Sequence, residues 1–465
     1  MILHGPVRPP DTAGPGTATL TVSFDAWAGA SVAPTTHAVA VARPKGLAVS
    51  EPVSPRLVRS LVHTDHKAIV DPVQFSPDGR RLFAAGYPSG VLQFWDVAAG
   101  KELLRLDAQP GKRVSFETRP ELPADWSAVY VPQERRKLVS GERDGRRTVG
   151  YDFDGEVLVF DAATGQPRPT LKPPPGHGVS HVYASPDGRK LVAQEQPSFA
   201  PGERKANRVV LWDTRTATAK PLGEGYDATA AFTPDSEQFA LCLNNSARQS
   251  AVLKLFRADG AELAELATVT GWRLIWPRFS ADGRRLAAVQ ATSGGVQPGA
   301  LRVWDVAARK ELATSPFRGP FPFTGLAIAP DGRRLAAMDY KGGVWVWDVA
   351  TGKAVVEKSF GDAVTFWHLA LAPDGRRLAV LGQPAWDRKQ FVGQPDPLDL
   401  PQPRVFLFDL TAAATEPEVV ICPHGYQLGP TGGGLAFSPD GRMLAVGGTG
   451  AVHLFDMADP PGQKR

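Results

Sequence analysis

Few side chains in this sequence are spaced for chemistry. His177 and His181 stand four apart, which on a helix would offer two imidazoles to one zinc ion. Pro173, Pro174, Pro175, Gly176 and Gly178 surround them and oppose a helix. The acidic run Asp152-Phe153-Asp154-Gly155-Glu156 could meet a cation, but it lacks the ligand spacing of a calcium loop and reads as an ordinary hairpin turn. Neither a nucleophile elbow, nor a P-loop, nor a dinucleotide fingerprint before a helix occurs. Gly432-Gly433-Gly434 precedes a strand, so it makes no phosphate cradle. The two cysteines, Cys242 and Cys422, lie outside any C-x-x-C or Cys/His cluster, which removes a zinc or disulfide framework. Cys242 stands in the apolar run 239–243 and reads as a small buried hydrophobe; a bridge between the two cysteines is left open. No catalytic residue, metal ligand or cofactor is assigned.

Two other sets suit recognition better. Nine aromatics stand in long connections: Trp126, Tyr151, Trp272, Phe317, Phe321, Phe323, Trp386, Phe391 and Tyr426. Each serves either as plug of its own loop or as an anchor for a partner, and aromatics are enriched among such anchors. Taken together they read as a binding surface. The second set is basic: Arg80-Arg81, Arg284-Arg285, Arg333-Arg334 and Arg376-Arg377, with Arg189-Lys190 similar. No aromatics interleave with these pairs, which argues against a nucleic-acid platform, and solvation or pairing with neighbouring Asp is the simpler reading.

The elements that must position these residues are repeats. Residues 325–359 hold four short apolar runs separated by Pro330-Asp331-Gly332, Lys341-Gly342-Gly343 and Ala350-Thr351-Gly352-Lys353. Runs of strand length broken by such turn residues form a four-stranded antiparallel meander. The first turn recurs as Ser76-Pro77-Asp78-Gly79, Ser185-Pro186-Asp187-Gly188, Thr233-Pro234-Asp235-Ser236, Ser280-Ala281-Asp282-Gly283, Ala372-Pro373-Asp374-Gly375 and Ser438-Pro439-Asp440-Gly441. A degraded copy is read at Pro132-Gln133-Glu134-Arg135. The third run ends in an aromatic–Asp pair: Trp95-Asp96, Phe160-Asp161, Trp212-Asp213, Trp304-Asp305, Trp347-Asp348, Phe408-Asp409 and Phe455-Asp456; the fourth unit breaks the pattern with Phe256-Arg257.

Over residues 57–457 this text resembles the WD-repeat (WD40) family, in a divergent form like its looser bacterial members. The resemblance implies an all-β fold, a β-propeller of four-stranded antiparallel blades. Eight units imply eight blades; seven result if the degraded unit forms no sheet. The family closes its ring by lending a strand, so residues 57–62 should complete the last blade beside 452–455. The family's polar staple is mostly missing. The Asp position before the turn Gly holds Ser89, Lys341 and Thr449, only Asp154 matches, and His66, His177 and His181 are scattered. The third-strand aromatics should then be plain core. In this topology the insertions 106–126, 142–154, 196–207, 290–299, 315–323, 383–403 and 422–434 all open on one face, which often marks the binding face.

Outside the repeats, residues 1–16 are rich in Pro and Gly and read as disordered, as does the tail 458–465. Segments 17–24 and 37–42 read as two strands of a β segment spanning 17–43, either packed on the side of the main domain or the remnant of a further domain, followed by a Pro-rich linker at 44–56. The net charge of +4 is mild, and no nucleic-acid partner is expected from it. No signal peptide or membrane-length apolar run is visible, which predicts a soluble, cytoplasmic chain with no membrane partner, unless the N-terminus is incomplete; a monomeric propeller is expected. The first functional reading is a non-catalytic scaffold that binds protein or peptide through its long-loop face. The second is an enzyme or small-molecule binder using the central channel. The third is an architectural module of a larger protein. First strands such as 72–75, 325–329 and 369–371 are mostly apolar; a cluster of His, Asp or Glu at the channel mouth would favour the second.

Overall fold

The computed structural model describes residues 18–21, 36–39 and 56–457, except positions 67, 88, 108–119, 134, 144–145, 201–204, 246–248, 293–298, 317–322, 340, 385–402, 412–416 and 422–433. It divides into two compact units, residues 1–53 and 54–465. In the first, Ala18–Thr21 pairs antiparallel with Thr36–Val39, overlapping the two segments expected there. Residues 1–16 and 458–465 lie outside the described residues. No described helix is long and apolar enough to cross a membrane.

The second unit is a ring of eight antiparallel sheets. Blade 1 begins at Ile69–Phe75, blade 3 at His177–Ala184, blade 4 at Asp227–Phe232, blade 5 at Trp272–Phe279, blade 6 at Phe323–Ile328 and blade 7 at Val364–Leu371; each is a four-stranded meander. Blade 8 consists of Leu435–Phe437, Met443–Gly448 and Ala451–Asp456, with Arg56–Val62 as its fourth strand. That closing strand runs from Arg56 opposite Asp456 to Val62 opposite Ala451, as expected.

A lone meander has two apolar faces and nowhere to hide them. Here eight apolar clusters each lie between two successive blades, and the cluster of Leu61, Val70, Leu82, Trp95, Val452 and Leu454 joins blade 8 to blade 1. The third-strand aromatic of every blade packs into the cluster shared with the blade before it. Trp347 of blade 6 joins residues of blade 5, Trp304 of blade 5 those of blade 4, and Trp95 of blade 1 those of blade 8. Trp304 is fully buried with its Nε1 unpartnered, so it acts as plain core there. The Asp that follows the aromatic turns outward and caps the next turn. Asp348 Oδ1 accepts from Thr351 N at 2.8 Å, Asp161 Oδ1 from Thr164 N at 2.8 Å and Asp305 Oδ1 from Ala308 N at 2.8 Å.

The first turn of each unit is also wired internally. Ser76 Oγ donates to Asp78 Oδ1 (2.5 Å) and accepts from Arg81 N (2.9 Å), while Arg80 N donates to the same carboxylate (3.0 Å). The pattern repeats at Ser185, Thr233, Ser280 and Ser438. Neighbouring turns touch. Asp125 N donates to Pro186 O at 2.9 Å and Ala281 N to Pro330 O at 3.0 Å, and Asp187 N to Ser236 Oγ at 3.1 Å. They form a tied collar on one face of the ring.

Blade 2 corrects the repeat reading. Its turn is Pro123-Ala124-Asp125-Trp126, closed by Trp126 N to Pro123 O at 3.0 Å, and not Pro132-Gln133-Glu134-Arg135. Pro132 ends the strand Ala128–Pro132. Trp126 occupies the place of the turn glycine at φ 57°, beside 69° for Gly79. A bulky residue in the left-handed region is rare, and that disguised the copy. The sheet has three strands, Ala128–Pro132, Val157–Asp161 and Pro167–Leu171, with a single bridge from Glu121 to Tyr130 in place of the innermost strand. Its middle hairpin does not turn back at once. Arg135–Arg143 and Arg146–Asp154 continue it as a ribbon of nine paired positions, about 30 Å long at ~3.3 Å per residue. Thus 146–154 is strand where a loop was expected, and Asp152–Asp154 belongs to the ribbon's base.

Ring closure by Leu61, 2% exposed, is separable from the exposed neighbour Val62. Leu61→Ala should lower unfolding stability by about 2–4 kcal/mol, and Val62→Ala by less than about 0.5 kcal/mol. Urea denaturation of both variants checks this.

Candidate functional site in the central channel

First strands of neighbouring blades pack side by side around the ring, so their inner edges line an axial channel. The apolar segments 72–75, 325–329 and 369–371 belong to blades 1, 6 and 7. The other half of the ring is different. A cavity of about 730 Å³ is lined by Glu121 of blade 2, His181 and Tyr183 of blade 3, Asp227, Thr229 and Phe232 of blade 4, and Arg273, Ile275, Trp276 and Arg278 of blade 5. This overturns the expectation of mostly apolar inner strands.

Repeat position explains the grouping. Glu121, Tyr183 and Arg278 each stand two residues before the first residue of their blade's turn (Pro123, Ser185 and Ser280), and Ala231 holds that place in blade 4. The same place holds Gln74, Ala327, Ala370 and Ala436 in blades 1, 6, 7 and 8. His181, Thr229 and Trp276 stand four residues before their turns; Gly325 and Gly434 hold that place in blades 6 and 8. A Cβ at Gly434 would lie 2.7 Å from Val73 N, so tight packing enforces small residues there. The charge on blades 2 to 5 contrasts with the small residues of blades 6 and 8, and a separate polar pair, His368 of blade 7 at 3.8 Å from Asp71 of blade 1, lies in the other half.

The charged half is held from behind. Asn244 makes a two-way clamp on the next blade, donating to Leu274 O and accepting from Leu274 N, both at 2.9 Å. Gln194 Oε1 accepts from Ala228 N at 2.7 Å, and its amide donates to Ser180 Oγ at 3.2 Å. Beyond the Leu274 clamp the strand bulges between Ile275 and Arg278, and Trp276 takes φ 53°. Trp276 N donates to Thr229 Oγ1 at 3.2 Å. Bulges re-aim side chains, and a left-handed Trp stores of order 1–3 kcal/mol of strain.

Towards the end where the strands enter, Arg273 and Asp227 form an ion pair. Towards the collar, burial raises the carboxyl of Glu121 to about 7, against the opposing pull of the Ala184 backbone hydrogen bond and of Arg278. Burial also raises the Tyr183 phenol, whose Oη donates to Ala228 O at 3.3 Å. Arg278 is deep in the ring, yet its side chain stays open to the lumen. Cys242 is fully buried and free, and burial pushes its thiol up to about 12, which makes it inert. His177 and His181 share one strand. Among the described residues no group of three or more His, Cys, Asp or Glu is placed to hold a metal ion.

The nine aromatics separate. Trp126 is 5% exposed and packs in the core of blades 1 and 2, edge-on to Phe94 at 5.7 Å. It sits in the collar, not on the long-loop face, and is withdrawn from the binding set. Trp272 is half-buried at the entry of blade 5, beside Arg273. Tyr151 lies in the ribbon of blade 2, and Phe323 opens the first strand of blade 6. Phe317, Phe321, Trp386, Phe391 and Tyr426 lie outside the described residues. Sequence reasoning missed Glu121, Trp276 and Arg278. The signal was a charged or large residue at repeat positions that blades 6 and 8 fill with Ala or Gly.

The basic pairs ring the collar. Their second members are engaged: Arg285 with Asp305, Lys190 with Asp213 at 2.8 Å, Arg334 with Gly375 O at 2.9 Å and Arg377 with Gly441 O at 3.0 Å. Their first members are exposed, but each pair lies between two aspartates, as Arg80 and Arg81 between Asp78 and Asp96. The collar is therefore near neutral locally.

The raised Glu121 carboxyl has a signed consequence. An unfolded Glu ionises near 4.3, and the folded one at about 7. Its contribution to stability is full below the lower value and is lost as pH rises through the higher one. The melting temperature of Glu121→Gln relative to the parent should be more favourable at about pH 8 than at about pH 4.5; an equal difference at both would place the group in bulk-like solvent.

No protein-family model matches the chain, and no curated protein matches it. Among solved structures, the C-terminal WD40 domain of Sif2 is similar, with a TM-score of 0.55 at 12% identity over 87% of this chain and 98% of that chain. At that identity the likeness is one of fold. The observed sheet order and ring closure make the chain an eight-bladed β-propeller, the fold it shares with that domain.

Proposed function

We propose that this propeller is a non-catalytic binding module that holds a protein or peptide partner on the face where its long connections gather. One observation carries the reading. The collar face is closed by short turns hydrogen-bonded within themselves and to each other, whereas the opposite face receives the inter-blade connections and the nine-pair ribbon of blade 2. A rigid ring with all its variable chain on one side is the usual way to present recognition loops. Trp272 at the channel entry, Tyr151 on the ribbon, and Phe317, Phe321, Phe323, Trp386, Phe391 and Tyr426 in or beside the connections are the proposed anchors. The described titratable groups support binding over turnover. The only thiol described is fully buried with its pKa pushed up to about 12, and the Tyr183 phenol is shifted away from ionisation. Neither is an activated nucleophile.

The test is a comparison of two variants by affinity capture and melting. In one, residues 385–402 are replaced by a tight turn; in the other, Arg80, Arg284, Arg333 and Arg376 on the collar become Ser. The loop variant should keep its melting temperature within about 2 °C, as surface-loop changes generally do, and lose the partners that the parent captures. The collar variant should keep them. The reverse pattern would move the binding surface to the collar.

A further inference from the structure

We propose that the charged half of the channel is a binding site for a small organic oxyanion, one carboxylate or phosphate group on a flat apolar body, with Arg278 holding the anionic group and Trp276 flanking the body. This goes beyond the partner surface proposed above, because the site is internal and its occupant is a small molecule.

Charge is the first argument. Arg273 is cancelled by Asp227. Arg278 is not: its guanidinium makes one hydrogen bond, from Nη1 to Pro277 O at 3.1 Å, and no described carboxylate forms an ion pair with it. A guanidinium carries five N–H donors in a planar fork matched to carboxylate and phosphate. Enclosure by the ring pushes Arg278 below the ordinary arginine value, the direction expected when a cation loses water. Glu121 does not supply the missing counter-charge cheaply, since its own burial holds it protonated up to about 7. An incoming oxyanion would pair the cation and, below that value, accept a hydrogen bond from the protonated Glu121.

Backbone geometry is the second argument, independent of charge. Register shifts interrupt the first strands of blades 1, 3, 5, 6 and 7 alike; among the described residues only the bulge of blade 5, at Ile275–Arg278, places a non-glycine residue of a first strand in the left-handed region. It sets Trp276 at φ 53°, and the Asn244 clamp on Leu274 and the Thr229 hydroxyl hold it there. Trp276 and Arg278, two residues apart, both line one cavity, as do His181 and Tyr183 of blade 3. Strain that persists because its surroundings over-determine it is characteristic of ligand sites. The cavity is about 730 Å³, within the ~300–1,000 Å³ of small-molecule pockets. Val182, Ile275 and Phe232 give it an apolar wall beside the polar groups.

The site can be tested by calorimetric titration of the full chain with benzoate and with phenyl phosphate, using benzamide as the neutral analogue. Saturable one-to-one binding of either acid is expected, with benzamide at least about tenfold weaker, the discrimination that one charge-assisted pair supplies. Arg278→Gln should weaken the acid by about tenfold or more, Arg278→Lys should retain part of the affinity, and Arg80→Gln on the collar should leave it unchanged. Trp276→Asn tolerates the left-handed backbone and should also weaken binding; it provides the reading if Arg278→Gln does not fold. The tighter of the two acids identifies the group. Failure of both acids to saturate the parent, equal affinity of the parent and Arg278→Gln, or equal loss in Arg80→Gln would each overturn the proposal.

Discussion

Every blade of this protein depends on the blade before it. A four-stranded meander exposes two apolar faces, and water penalises both at roughly 25 cal/mol per Å². The only partner available in a repeat array is the next copy, and the only array without free ends is a closed circle. The third-strand aromatic makes the dependence explicit. Trp95, Trp212, Trp304 and Trp347 each leave their own sheet to fill the cluster shared with the preceding one, and Phe256, Phe408 and Phe455 do the same. The ring cannot be cut without opening one such cluster, which is why the strand lent from Arg56–Val62 matters beyond its hydrogen bonds.

From this constraint the division of labour between the faces follows. Adjacent blades must approach closely at the collar, so the turns there are short, carry internal Ser–Asp networks and touch their neighbours. The basic residues that look like a docking ring in the sequence are half consumed by that architecture, bonding to carbonyls and aspartates of their own or the next blade. The opposite ends of the strands are under no such demand. Length and irregularity accumulate there, including the ribbon of blade 2, whose base is tied to blade 3 by Phe153 N donating to Ser198 Oγ at 2.8 Å.

The channel inherits a different constraint. Seven first strands and the single bridge of blade 2 meet around an axis and leave room only for small residues where the strands press together, as at Gly434 and Gly325. The cavity lies on the side of blades 2 to 5, where blade 2 contributes a single bridge at Glu121 in place of a full innermost strand and blade 5 turns left-handed at Trp276. The residues at these two places, Glu121, Trp276 and Arg278, line the cavity and supply part of its chemistry. The Asn244 and Gln194 clamps show the cost of keeping such a wall in place. Buried amides are spent on fixing the strands that carry the site.

Local text determined the blades themselves. Pro-Asp-Gly turns, apolar runs of strand length and aromatic–Asp pairs each report on neighbours a few residues away, so the meander, the closing strand, the core role of Trp304 and the burial of Cys242 were legible before any coordinates. Blade 2 was legible only in part, since Trp126 stands where a glycine signals the turn. The channel site was not legible. Glu121, Tyr183, Asp227 and Arg278 are scattered over 158 positions of sequence (278 − 121 + 1), and no spacing rule links them. Only closure of the ring brings residues of four blades to one cavity, because convergence on an axis is a property of the circle and of no single repeat.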